Sequence, residues 1–88
     1  MNVYEKRNAM LGVEFDRYVR DHPSFGARIP RGAQIVLQLP DDPNFNAWAR
    51  RLAKRQRDRG QTVVLVTIAR VQPPKSRLVS PKLQIEAA

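Results

Sequence analysis

Six basic side chains lie close together in the second half of a predicted helix that covers residues 43–59. Guanidinium and ammonium groups bind phosphate oxygens and displace the counterions around them. Only one acidic residue, Asp58, opposes these cations within the helix. The pattern predicts a surface for nucleic acid or another polyanion, and the alternative is the solvated face of a surface helix. The six residues are Arg50, Arg51, Lys54, Arg55, Arg57 and Arg59.

A second group of cations is spread over residues 70–82, around the dipeptide Pro73–Pro74. Prolines hold a chain extended and stiff, so this segment could present its charges as an arm that enlarges the positive surface. The alternative is that the charges blunt an exposed strand edge, because lysines on edge strands oppose pairing with another chain. The group consists of Arg70, Lys75, Arg77 and Lys82.

The distribution of charge supports an anionic partner for the C-terminal half. The 88 residues carry a formal net charge of +8. Basic and acidic residues balance over residues 1–43, whereas residues 44–60 carry +5 and residues 61–88 carry +3. Such an asymmetry indicates a nucleic acid or an acidic protein as the partner.

The adjacent carboxylates Asp41 and Asp42 and the only histidine, His22, are the remaining candidates for chemistry. Paired carboxylates at the end of a strand can bind Mg²⁺ or transfer protons. Pro43 favours another interpretation, in which Asp42 caps a helix whose first residue is the proline. His22 precedes a proline at a predicted helix end, which favours a structural role over catalysis.

Composition limits the functional classes further. The chain has no cysteine, which excludes disulfides and thiolate chemistry, and its four glycines form no phosphate-binding loop. We therefore expect a non-catalytic protein with no metal and no cofactor. The N-terminus lacks the apolar core of a signal peptide, and the longest uncharged run, residues 60–69, is shorter than the ~20 apolar residues of a membrane span. We expect a cytoplasmic protein that does not enter a membrane.

Hydrophobic periodicity predicts the elements that position these groups. Residues 3–21 have apolar side chains at helical spacing. In residues 33–39 apolar and polar side chains partly alternate, which is typical of a strand. The helix over residues 43–59 is expected to end at Gly60 and to hide Trp48 against the next strand. That strand, TVVLVTIARV over residues 62–71, is apolar on both faces and is predicted to be covered on both sides.

Together these elements predict one small α/β domain with α+β character over residues 1–88. An N-terminal helix (1–22) precedes a βαβ unit with parallel strands (33–71) and an extended segment (72–88). Within the last segment, alternation around Leu83 and Ile85 predicts a short third strand. Because so small a sheet leaves an edge or a face open, we expect a homodimer or a partner to complete it.

Six short motifs that combine prolines, aromatic residues and charges are spread over nearly the whole chain. They are Glu14-Phe15-Asp16-Arg17-Tyr18-Val19, His22-Pro23-x-Phe25, Ile29-Pro30, Ala33-x-Ile35-Val36, Asp41-Asp42-Pro43 and Pro73-Pro74-x-Ser76-Arg77-Leu78-Val79. Together they resemble a family of short prokaryotic proteins that is known only as an uncharacterised domain. The resemblance implies a stand-alone prokaryotic domain and brings no activity, cofactor or catalytic residue with it.

The residues therefore predict a small basic binding module that contacts nucleic-acid backbone through its second helix and its C-terminal half. The alternative is a protein-interaction or regulatory subunit, similar to an antitoxin, that covers an acidic partner. A small enzyme acting through arginine and aspartate is the third hypothesis.

Overall fold

Three helices and two parallel strands follow one another along residues 1–87, the part of the chain that this computed structural model describes. The strands pair in register, with Gln34 beside Val63 and Gln38 beside Thr67. The order of the elements confirms the mixed α/β class and the parallel βαβ unit. The elements are α1 (Val3–Asp21), α2 (Pro23–Gly26), β1 (Gln34–Gln38), α3 (Pro43–Gln56) and β2 (Val63–Thr67).

Helix α1 packs on the domain through the apolar stripe that its periodicity predicts. Its N-terminus is capped by Asn2, whose side-chain oxygen accepts a hydrogen bond from the Glu5 N–H at 2.8 Å. Leu11 is fully buried, and Tyr4 and Phe15 pack against the core beside it. No helix within residues 1–87 combines the length and the apolar character needed to cross a membrane.

The hydrophobic core lies where α1 and α3 meet β1. Phe45 has no exposed surface, and its ring lies 6.3 Å from the Tyr4 ring and 6.0 Å from the Trp48 ring. Helix α3 lies closest to β1, and Trp48 packs on the margin of the core, as do Val66 and Ile68 of the valine-rich stretch. Direct packing of Trp48 on that stretch stays a prediction. The buried core consists of Leu11, Val36, Leu37, Phe45, Ala49 and Ala53.

Strand β2 is shorter and less covered than its sequence predicts. The strand ends at Thr67, and Val63 and Leu65 expose 37% and 49% of their surface, so the predicted cover on both faces is wrong. The more deeply buried strand is β1, where Val36 and Leu37 are both buried. The difference arises because α1 and α3 both lie close to β1, whereas β2 packs on the core only through partly buried side chains such as that of Val66.

The directions of the backbone hydrogen bonds identify a free edge of the sheet. In a parallel ladder, the N–H and C=O groups of one residue point to the same side of its strand. The Ile68 N–H donates to the Gln38 C=O at 2.9 Å, so even-numbered residues of β2 point toward β1 and odd-numbered residues point away from it. Within residues 1–87 the free edge of β2 is formed by the backbone groups of Val63, Leu65 and Thr67.

The other edge of the sheet is partly closed by α3. The Asn46 side-chain oxygen accepts a hydrogen bond from the Leu39 N–H, and the Asn46 side-chain nitrogen donates to the Leu39 C=O, both at 2.7 Å. Just beyond the end of β1, the carboxamide thus makes the two backbone hydrogen bonds that a neighbouring strand would make. It therefore ties the first turn of α3 to the sheet.

Replacing Asn46 with alanine is expected to lower the free energy of unfolding by about 1–3 kcal/mol, because two part-buried backbone groups of Leu39 lose their partners. Urea denaturation followed by circular dichroism measures the change. Asn44→Ala is the matched control, since Asn44 is an exposed residue of the same helix turn and should change stability by less than about 0.5 kcal/mol. Equal losses in the two variants would contradict the role assigned to Asn46.

Helix α3 begins where its sequence predicts and ends earlier. The Asp42 side chain accepts a hydrogen bond from the Phe45 N–H at 3.1 Å, and Pro43 is the first helical residue, which confirms the predicted cap. The helix was predicted to reach residue 59, but its last residue is Gln56. Residues 58–61 form a turn that is closed by a hydrogen bond from the Gln61 N–H to the Asp58 C=O at 3.0 Å, and within it Gly60 adopts a positive φ of 77°, a conformation that favours glycine.

Gln61 explains the early end of α3. Its side-chain oxygen accepts a hydrogen bond from the Asp58 N–H at 3.0 Å, and its carbonyl oxygen accepts one from Arg57 Nε at 2.8 Å. Its side-chain nitrogen donates to the Gly32 C=O at 2.9 Å. These bonds hold the turn against the residues that precede β1, so the chain cannot continue as a helix there.

Residues 69–87 form an exposed, extended tail. They contain no helix and no strand, so the predicted third strand around Leu83 and Ile85 is not confirmed. Both side chains are 86% exposed. The radius of gyration is 18.4 Å, well above the ~12 Å expected of a compact 88-residue domain, and the long axis measures 68 Å.

Candidate nucleic-acid interface

The second half of α3 presents four exposed cations on one side of the helix. Phe45, Ala49 and Ala53 are buried on the opposite side. At about 100° per residue, the cations cover an arc of roughly 140° that points away from the core. We call these four residues the basic face: Arg50, Arg51, Lys54 and Arg55.

No acidic side chain neutralises the basic face within residues 1–87. The ion pairs of this part of the chain join Arg7 to Asp42 and Arg17 to Glu14, both away from the basic face. Helix α1, by contrast, carries equal numbers of basic and acidic residues. Because no ion pair neutralises these charges, the basic face keeps a positive electrostatic potential that attracts external anions.

Several contacts fix the helix that carries the basic face. Asp42 caps its N-terminus and pairs with Arg7 of α1, and Asn46 binds the backbone of Leu39. Phe45 fills the core beneath the first turn. The four cations are therefore displayed on a helix whose position is set by two neighbouring elements, α1 and β1.

Arg50 differs from its neighbours because β1 holds its side chain. Arg50 Nε donates a hydrogen bond to the Gln38 side-chain oxygen at 3.0 Å, and Gln38 is only 4% exposed. The bond orients the guanidinium and leaves its terminal nitrogens available to a phosphate. Gln38 was missed as a site residue because, in the sequence, it is only one polar position of an alternating strand.

Arg57 and Arg59 lie beyond the helix rather than on its face. Arg57 is partly engaged by the Gln61 carbonyl, and Arg59 is exposed in the turn. The prediction that both residues extend the helical surface is wrong, since α3 ends at Gln56. They remain exposed cations near the start of β1, to which Gln61 ties this turn.

The cations of the tail lie toward the opposite end of the sheet. Helix α3 runs back from the end of β1 to the start of β2, whereas the tail leaves from the end of β2. The structure thus groups the four cations of α3 and does not gather the tail cations beside them. The exposed tail cations are Arg70, Lys75, Arg77 and Lys82.

The carboxylates and the histidine have structural contacts. Asp42 caps α3, as predicted, while Asp41 is exposed. The Nδ1 atom of His22 lies 2.9 Å from the Tyr18 carbonyl oxygen, and the two rings stack with their centroids 3.9 Å apart. Within residues 1–87, no three His, Asp or Glu side chains gather into a group that could hold a metal ion.

Comparison with known proteins gives a match at the level of a family. A family model that is described as a family of unknown function matches residues 3–81. No curated protein and no solved structure matches the chain. The matched range contains all five elements and the first part of the tail, in agreement with the resemblance to an uncharacterised family.

Proposed function

The chain belongs to the family of unknown function DUF5647, and we propose that it is a small, non-catalytic module that binds the phosphate backbone of nucleic acid through the basic face of α3. One observation carries the proposal: four exposed cations share one side of an anchored helix, and no acidic side chain pairs with them within residues 1–87. In this function the protein acts in the cytoplasm, where nucleic acid is accessible.

The physical support comes from the exposure and the fixed position of the charges. Each cation that meets a phosphate releases a condensed counterion, which favours binding without reading the bases. Since α3 is held by α1 and β1, its backbone is already ordered, and binding loses little backbone conformational entropy. The tail cations can add contacts, although they lie toward the opposite end of the sheet from the end of α3.

A salt titration tests the proposed function. A labelled duplex and a single strand of the same sequence are titrated with the protein between about 50 and 200 mM salt. Four phosphate contacts are expected to give a slope of about −3.6 for log K against log salt on the duplex and about −2.8 on the single strand. Affinity for the duplex then falls about 10²-fold over this range. Absence of binding at the lowest salt, or a slope near zero, would remove the proposal.

A protein-interaction or regulatory module is the second candidate function. The observation that favours it is the apolar surface of the tail, where Leu78 and Val79 are 75% and 87% exposed and follow the cations Lys75 and Arg77. An acidic protein with an apolar groove would match this mixture of charges and apolar side chains. A stable complex with an acidic protein, formed by a chain that binds no nucleic acid, would favour this second function.

A further inference from the structure

The free edge of β2 is a surface that the fold of one chain leaves open. Its backbone groups at residues 63, 65 and 67 point away from β1. The side chains of Val63 and Leu65 are partly exposed on the same strand. Parallel sheets are normally covered, and an isolated two-stranded sheet has little stability of its own. The edge is therefore able to accept a further strand.

The tail contains a segment with the pattern of such a strand. Residues 82–86 alternate between polar and apolar side chains, with Leu83 and Ile85 on one side and Lys82 and Gln84 on the other. Leu83 and Ile85 are each 86% exposed. Within residues 1–87 the chain thus displays both an unoccupied strand edge and an unpaired strand-like segment.

The connection between these two parts opposes their pairing within one chain. The segment would have to fold back over residues 69–81, and Pro73 and Pro74 keep part of this connection extended and stiff. The tail is accordingly exposed and extended, and the long axis of the chain measures 68 Å. A stiff connection before a docking segment favours exchange of that segment with an identical chain.

We propose that residues 82–86 of one chain pair with the free edge of β2 in a second copy. Residues 82–86 of the second copy pair with the free edge of β2 in the first. Leu83 and Ile85 then cover Val63 and Leu65 of the other copy, and each two-stranded sheet gains a third strand. The exchange is closed and symmetric, so it predicts a dimer and not an open polymer. It leaves the basic face of α3 exposed and is independent of the function proposed above.

The oligomeric state of tail variants tests the exchange. Light scattering coupled to size-exclusion chromatography should give twice the 10.1 kDa chain mass for the natural chain. Leu83→Ser with Ile85→Ser should give the mass of one chain, because apolar cover of β2 is lost. Lys82→Ser with Gln84→Ser changes the opposite side of the same segment and should remain dimeric. A monomeric natural chain, or a dimer that survives in the Leu83→Ser/Ile85→Ser variant, overturns the proposal.

The exposure of the tail makes this comparison independent of folding. Leu83 and Ile85 belong to a segment that has no buried residue and lies outside the hydrophobic core, so both variants should keep the circular-dichroism signal of helices α1 and α3. Any change in mass then reports association between chains.

Disulfide trapping locates the contact, because the chain has no cysteine of its own. A chain with Leu65→Cys is mixed with a tagged chain that carries Ile85→Cys, and the mixture is oxidised. A disulfide that joins the two different chains supports the exchange. Val13→Cys, at an exposed position of α1 (52% exposed), replaces Leu65→Cys as the control and should cross-link far less. Placing both cysteines of the first pair in one chain and obtaining only monomers with an internal disulfide overturns the proposal.

Discussion

Replacing Arg51, Lys54 and Arg55 with glutamine is expected to weaken binding to a short duplex by about 10²–10³-fold near 0.1 M salt and to reduce the salt slope by about 2.7. The reason is that three of the four cations of the basic face no longer displace counterions. Glutamine is a good helix former, so α3 should be retained. Fluorescence anisotropy at several salt concentrations measures both the affinity and the slope.

Arg50 is left in place in this variant because it has a second role. Its Nε is the partner of the buried Gln38 side-chain oxygen, and removing it would leave that oxygen without a hydrogen bond. A loss of stability would then be mixed with the loss of binding. The three remaining cations have no hydrogen-bonded partner within residues 1–87, so their replacement should leave the unfolding midpoint nearly unchanged.

A second triple variant separates a local surface from net charge. Lys6, Arg17 and Arg20 lie on α1, and replacing them with glutamine removes the same three charges. If the basic face is the interface, this control should change the affinity by less than about tenfold, through the weaker long-range field alone. Equal loss of affinity in both triple variants would mean that the affinity for nucleic acid depends only on the total charge of the protein. The assignment of the interface to α3 would then be abandoned.

Replacing Phe45 with alanine is expected to lower the free energy of unfolding by about 3–5 kcal/mol. Phe45 has no exposed surface, and its ring is surrounded by those of Tyr4 and Trp48. The Arg7 guanidinium lies over the same ring, 5.8 Å from its centroid. Small domains have a total stability of about 5–15 kcal/mol, so this one substitution removes a large share of it.

Thermal and urea unfolding, followed by the fluorescence of Trp48, measure this effect. Trp48 reports directly because its ring lies 6.0 Å from that of Phe45. Phe25→Ala is the matched control, since Phe25 is only partly buried and packs on Phe15 and Tyr18 at the edge of the domain. We expect the control to lose less than half as much stability. An equal loss in the two variants would show that the fully buried Phe45 contributes no more to stability than the partly buried Phe25.

Local patterns predicted several elements correctly, and the errors concern what packs against them. Helix α1 and the Asp42–Pro43 start of α3 follow from apolar spacing and from cap chemistry, which act over a few residues. The cover of β2 could not be predicted in this way, because its two apolar faces indicate burial without indicating which element supplies it. In the structure both long helices lie against β1, and Val63 and Leu65 stay exposed.

The candidate site shows the same division. The cluster of arginines and its location on a helix are visible in the sequence, since residues three and four apart share a helix face. The exclusion of Arg57 and Arg59 from that face is not visible, because it depends on bonds from Gln61 that end the helix. The hydrogen bond from Arg50 to Gln38 joins residues that are twelve apart and lie on different elements, and no local sequence pattern predicts it.

By itself, the sequence determined the class of the fold, the parallel βαβ order and the concentration of positive charge in the C-terminal half, because periodicity, caps and charge are properties of neighbouring residues. Only the tertiary structure decided which strand is buried, where α3 ends and that the tail finds no strand partner within residues 1–87. These features depend on contacts between distant residues, such as Asn46 with Leu39 and Gln61 with Gly32. Side chains that are equally apolar in sequence thus differ in burial according to the element that reaches them.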